Sequence, residues 1–186
     1  RHPGGGPVVA LIQGLAGLGK TALAAEATHL WHPRFDHVLA FTGRGANLPV
    51  EELHRQLDQK LRLRSKVYRD RCAEDEMAPV YVAPTRDFTG EVRRRHLCEN
   101  LTAALRAERC LLVLDNLDTI LRPSPRPDGA YDAQDPEWDR VLATLADGLQ
   151  RSGSRVLVTS RHRPAALAGE SCMTLALGPL PLGEAV

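Results

Sequence analysis

The chain has 186 residues, with 24 Lys and Arg against 23 Asp and Glu. That length fits one domain whose core needs no disulfide or metal staple, and a formal net charge of +1 offers no basic footprint for nucleic acid or an anionic membrane. No apolar run approaches the roughly 20 residues that span a bilayer, and no signal pattern opens the chain, so a cytoplasmic protein is expected.

Residues 1–7, with Gly4-Gly5-Gly6, read as a flexible lead-in, and Pro7 and Val8 are candidates for contact with a base. The apolar run 8–12 predicts a strand. It is followed by Gly14-Leu15-Ala16-Gly17-Leu18-Gly19-Lys20-Thr21, which fits G-x-x-x-x-G-K-[ST], and then by the Ala- and Leu-rich helical segment 21–30. Strand, loop and helix together turn the pattern into a phosphate cradle. Gly14, Gly17 and Gly19 permit backbone conformations closed to residues with a side chain, so successive amides can curl around phosphate oxygens. The helix that follows aims its positive N-terminal end at the same anion. The predicted phosphate-binding set is therefore Gly14, Leu15, Ala16, Gly17, Leu18, Gly19, Lys20, Thr21 and Ala22, with Lys20 reaching the β- and γ-phosphates and the Thr21 hydroxyl ligating Mg²⁺.

The first helix stops near Pro33, and 35–41 predicts a second strand, completing a βαβ unit of a parallel sheet. Val50, Leu53, Leu57 and Leu61 recur at helical spacing over 49–63. The basic cluster Arg62, Arg64, Lys66, Arg69 and Arg71 reads as a solvated face in preference to a contact with phosphate or acid groups of a partner. Residues 73–90 lack a sustained period and predict a surface excursion. His29, His32 and His37 are close in sequence, but Pro33 intervenes and no acid or thiol has ligand spacing. Cys72, Cys98, Cys110 and Cys172 form no C-x-x-C pair, so neither zinc nor a disulfide framework is expected.

A helix over 91–108 leads into Cys110-Leu111-Leu112-Val113-Leu114-Asp115, a buried parallel strand ending in an acid at the ligand edge of the sheet. Asp115 there suits Mg²⁺, held largely through water. Asp118 either orients or deprotonates a water for attack on the γ-phosphate or caps the helix after it. Residues 122–136 contain four prolines and predict a loop, and 137–150 predict a helix with Trp138, Val141, Leu142, Leu145 and Leu149 inward. The strand 155–159 delivers Arg161, whose guanidinium suits a γ-phosphate, a plain surface arginine being the alternative. Residues 171–177 predict a fifth strand, and the unfinished element at 180–186 predicts a fragment of a longer polypeptide.

The stretches 14–21, 111–118 and 154–161 together resemble the nucleotide-binding domain of STAND signal-transduction ATPases, the NB-ARC and NACHT relatives, and bacterial members above all. The resemblance implies an α/β fold, a P-loop NTPase three-layer sandwich with a central, mainly five-stranded parallel sheet spanning 8–186. It implies Asp115 as the Walker B magnesium residue and Arg161 as the sensor that separates triphosphate from diphosphate. Asn116 departs from the NB-ARC pattern of a second acid at this position, while Asp118 matches the NACHT-like spacing better. The expected function is an ATP/ADP switch: ADP holds a closed state, and ATP with Mg²⁺ favours an open state that self-associates, with slow hydrolysis. Sensor and effector domains would lie outside this chain. The alternative is a continuously turning-over P-loop ATPase. A kinase would need a lid for which 122–136 is a poor signal, and the glycines do not fit the dinucleotide pattern G-x-G-x-x-G.

Overall fold

Runs of leucine and valine, too apolar for an edge facing water, form a parallel sheet buried on both faces over most of its width. In the computed structural model, which describes residues 6–43, 48–74, 90–125 and 127–179, with backbone alone at 90–97, this sheet holds five strands. They are β1 (Val9–Gln13), β2 (His37–Thr42), β3 (Cys110–Asp115), β6 (Arg155–Ser160) and β7 (Cys172–Ala176), in the order β2-β3-β6-β1-β7. The helices are α1 (Lys20–Trp31), α2 (Val50–Arg64), α3 (Lys66–Glu74), α4 (Gly90–Ala107) and α5 (Pro136–Gly148).

Side-chain alternation sorts these helices into two outer layers. Leu11, Leu39, Phe41, Leu112, Leu114, Val156 and Val158 face α2, α3, α4 and α5, sharing one core with Leu53, Leu61, Tyr68, Leu105, Trp138 and Leu142. The opposite faces of the same strands present Ile12, Leu111, Val113 and Leu157 to Ala24 and Ala27 of α1. The α1 helix meets the sheet through alanines, as its composition predicts. Each fully buried Leu or Val contributes about 1.5–3 kcal/mol, so the sheet is the main source of stability.

Strand order places the site. β6 lies between β1 and β3, with Gln13 opposite Ser160 and Leu114 opposite Val158. The C-terminal ends of all three therefore open on one edge, and residues far apart in sequence arrive there together. The other end of the sheet is tied by Asp36 and Arg109, whose side chains meet at 2.7 Å. The Arg109 guanidinium holds the Asp36 carboxyl down at about 2. Ser154, buried ahead of β6, accepts from the Cys110 amide at 2.7 Å and has the Leu105 and Glu108 carbonyls at 2.5 and 2.8 Å.

Several expectations change. The basic cluster spans the end of α2 and the start of α3 with Arg64, Lys66, Arg69 and Arg71 exposed as expected, but Arg62 turns inward to Asp58, 2.9 Å away, which also accepts from the Tyr68 hydroxyl at 2.7 Å. A buried carboxylate needs such partners, and burial with this bond pushes the Tyr68 phenol up. The proline-rich stretch is not a plain loop. It folds back as a two-stranded hairpin, β4 (Leu121–Pro123) against β5 (Tyr131–Ala133), with Pro123 on an edge strand where a missing N–H costs little. Val8 lies in the core at 1% exposure, so its side chain is not offered to a base. The predicted lead-in 1–7 lies outside the described residues except at 6–7, as do 75–89 of the predicted excursion and the terminal 180–186. Among the described residues, no helix is long and apolar enough to cross a membrane.

Replacing Ser154 by Ala removes the acceptor of a buried amide and leaves that group unpaired. Urea unfolding is expected to show a loss of about 1–3 kcal/mol; an unchanged midpoint would contradict a stabilising role for the Ser154 hydrogen bonds.

Candidate functional site

Past Gln13 the chain turns under two backbone constraints. An added Cβ on Gly14 would lie 2.8 Å from the Leu177 carbonyl oxygen, so only glycine fits beside β7. Gly17 and Gly19 both have φ of 81°, with open space where a Cβ would stand. At these two positions the demand is conformational, since the left-handed region costs an ordinary residue about 1–2 kcal/mol. Gly19 is the N-cap of α1, whose first turn carries no acid, leaving the positive helix end unneutralised.

Lys20 donates from Nζ to the Leu15 carbonyl at 2.8 Å, folding back across the loop. Thr21, one residue on, donates from Oγ1 to Asp115 Oδ1 at 2.8 Å. The same Oδ1 accepts from Thr159 Oγ1 at 2.6 Å, and Oδ2 lies 3.4 Å from Thr42 Oγ1. The end of β3 is thus held by hydroxyls from α1, β2 and β6. Asn116 leaves the strand with φ of 64°, and its amide donates to Thr159 Oγ1 at 2.8 Å. This left-handed step, which Asn tolerates better than most residues, starts the short 3₁₀ turn Leu117–Ile120.

Asp118 stands in that turn with its side chain only 3% exposed. Its carboxylate does not cap a helix, the alternative the sequence leaves open. Instead Arg161 Nε donates to Oδ2 at 2.6 Å, and the Arg161 amide lies 3.4 Å from Oδ1. The guanidinium side chain is 48% exposed. The segment after Arg161 is in turn held to the hairpin: His162 stacks on Tyr131 with ring centres 3.8 Å apart, and Arg163 pairs with Asp128 at 2.9 Å.

A cleft of about 510 Å³ opens between the loop and this turn. Ala16, Gly17, Gly19, Lys20, Thr21, Ala22, Asp118 and Arg161 line it, together with Asn116 and Thr119. Gly14, Leu15 and Leu18 are not among the lining residues: Gly14 makes the close approach to Leu177, Leu15 supplies a carbonyl to Lys20, and Leu18 packs toward Gly14. Asp115 lies behind Thr21. The donors present fit a hydrated Mg²⁺, because Thr21 and Asp115 offer hard oxygens on adjacent elements and Mg²⁺ takes one or two carboxylates, waters and phosphate oxygens. Among the described residues no three His, Cys, Asp or Glu side chains gather as a metal site. The open glycine-lined volume and the bare helix end fit a phosphate chain.

The sequence alone assigned no role to Thr42, Thr119 or Thr159, and read Asn116 only as the departure from a second acid. Thr159 had a usable signal: it is a polar side chain directly after the apolar run Val156-Leu157-Val158, next to the ligand edge.

A glycine turn feeding a helix N-terminus, with a carboxylate at the end of a strand one removed in the sheet, defines a P-loop nucleoside triphosphatase domain. Within that class the chain belongs to the AAA ATPase domain family, which it matches over residues 1–159. It is accordingly a nucleotide-binding domain of ATPase type. No curated protein matches the chain.

Gly19→Ala is expected to strain the loop, lowering stability by about 1–2 kcal/mol and weakening ADP binding about tenfold or more as the amides lose their curvature. Thermal unfolding with fluorescence titration checks both; unaltered ADP affinity would contradict the cradle.

Proposed function

We propose that this domain is the ATP/ADP-reading switch of a STAND-type signalling ATPase, with slow Mg²⁺-dependent hydrolysis. The observation that carries the reading is the Asp118–Arg161 pair, which lines the same cleft as Lys20 and Thr21. Arg161 lies two residues beyond the stretch that matches the family, so its role rests on this geometry and on the resemblance of 154–161 to STAND domains.

The loop amides and Lys20 bind the phosphate chain common to both nucleotides. Thr21 and Asp115 would hold Mg²⁺, which would supply charge neutralisation to the bound phosphate chain. Arg161 distinguishes the nucleotides, because only a triphosphate offers it an anion that competes with Asp118. With ADP the ion pair persists; with ATP the guanidinium turns to the γ-phosphate and releases the Asp118 carboxylate. Asp118, once free, orients the attacking water. Sensing and hydrolysis are then one exchange, and hydrolysis is slow because the base is paired until the sensor leaves it.

A switch requires that the two nucleotides bind the two conformations with different affinity, and Arg161 supplies that difference. The tether from His162 and Arg163 to the hairpin gives its movement something to act on. In the full polypeptide, the ADP state is closed and the ATP state self-associates, under the control of sensor and effector domains elsewhere in it. Nucleotide is the direct partner of this domain.

Arg161→Ala is expected to lower the ATP:ADP affinity ratio about tenfold or more, the loss of a charge-assisted contact made to one ligand alone. Calorimetry on wild type and variant measures the ratio; an unchanged ratio sinks the sensor role. Single-turnover and steady-state ATPase rates separate the switch from a continuously working ATPase, which rapid multiple turnover would indicate.

A further inference from the structure

The hydroxyls around Asp115 are not equivalent. Thr21 stands at the cleft and is engaged in the nucleotide reading above. Thr42 Oγ1 is 3.4 Å from Oδ2, near the outer limit of a hydrogen bond. Thr159 is 1% exposed, and its Oγ1 lies 2.6 Å from Oδ1, the short distance of a charge-assisted bond.

The polarity of that bond is fixed by its neighbour. The Asn116 amide donates into Thr159 Oγ1 at 2.8 Å, and a hydroxyl carries one proton. The Thr159 proton is therefore aimed at the carboxylate, and its lone pair at the amide of the next residue along β3. One buried side chain on β6 thus fixes both the orientation of Asp115 and the left-handed turn that carries Asp118 away. Mg²⁺ demands near-octahedral placement of its ligands and their waters, so a carboxylate free to rotate at a strand end would hold it poorly.

We propose that Thr159 is the positioning residue for the magnesium carboxylate, holding Asp115 Oδ1 in the orientation the ion requires. The inference rests on the assignment of Thr21 and Asp115 to Mg²⁺. Outer partners of metal ligands typically contribute about 10- to 100-fold in metal affinity, and Thr159 is such a partner.

The test is Thr159→Val, which keeps the branched shape and removes the hydroxyl, compared with Thr159→Ser, which keeps the hydroxyl. Calorimetry of the 186-residue chain with ATP, in Mg²⁺ and in EDTA, gives the ratio of the two affinities. The valine variant is expected to lower this ratio about 10- to 100-fold, and the serine variant to restore it. A valine variant with the wild-type ratio, even at reduced thermal stability, would mean Thr159 is only structural and overturn the proposal. Failure of serine to restore the ratio would overturn it as well. Should the valine variant not fold, Thr159→Ala is judged by the same ratio and the same serine rescue. A wild type that binds ATP with no effect of Mg²⁺ removes the metal assignment and this inference with it. A wild type that binds neither ATP nor ADP is a distinct result and removes the nucleotide reading itself.

Discussion

Placing β6 between β1 and β3 is the constraint on which the cleft depends. If β1 and β3 were neighbours, the loop and Asp115 would meet with no element between them to carry Arg161. With β6 inserted, the parallel register sets Ser160 beside Gln13 and Val158 beside Leu114. The phosphate loop, the Asp115 carboxylate and Arg161 then emerge side by side from three strands. Each strand holds this place because its alternate side chains are buried in two different cores. A slip of one residue would exchange those faces, so the packing of the sheet and the geometry of the site are the same requirement.

The site is built of polar groups that satisfy one another. Lys20 is occupied by a loop carbonyl, Thr21 by Asp115, and Asp118 by Arg161. Buried or half-buried charges require such partners. The loop lysine and the arginine line the same cleft. Under the proposed reading only a triphosphate would draw the arginine from its present acceptor, which is the side chain proposed as base.

The parallel sheet, the phosphate loop and Asp115 were legible because their signals are local: apolar runs of strand length, glycines at fixed offsets, an acid at a strand end. The elements α3 and the β4–β5 hairpin were not. The sequence of α3 is mostly charged, and its helix depends on Tyr68 and Cys72 reaching a core formed by other helices. The hairpin contains Pro123 and ends in partners outside itself, Pro164 and His162 among them, so its strands have little local signature. Asp118 could be named from its distance to Asp115. Its pairing with Arg161 could not, because 43 residues separate the two and only the sheet order brings them together. Thr159 was passed over for a related reason: threonine is common in strands, and its place here comes from what lies across the sheet.

All of this converges on one claim, that the glycine loop and the strand ends around it hold a nucleoside phosphate chain with Mg²⁺. Calorimetric titration of the 186-residue chain with ATP and with ADP, each in Mg²⁺ and in EDTA, tests it most directly. Both nucleotides are expected to bind, with Mg²⁺ strengthening ATP binding; absence of binding by either nucleotide in either condition would contradict the claim.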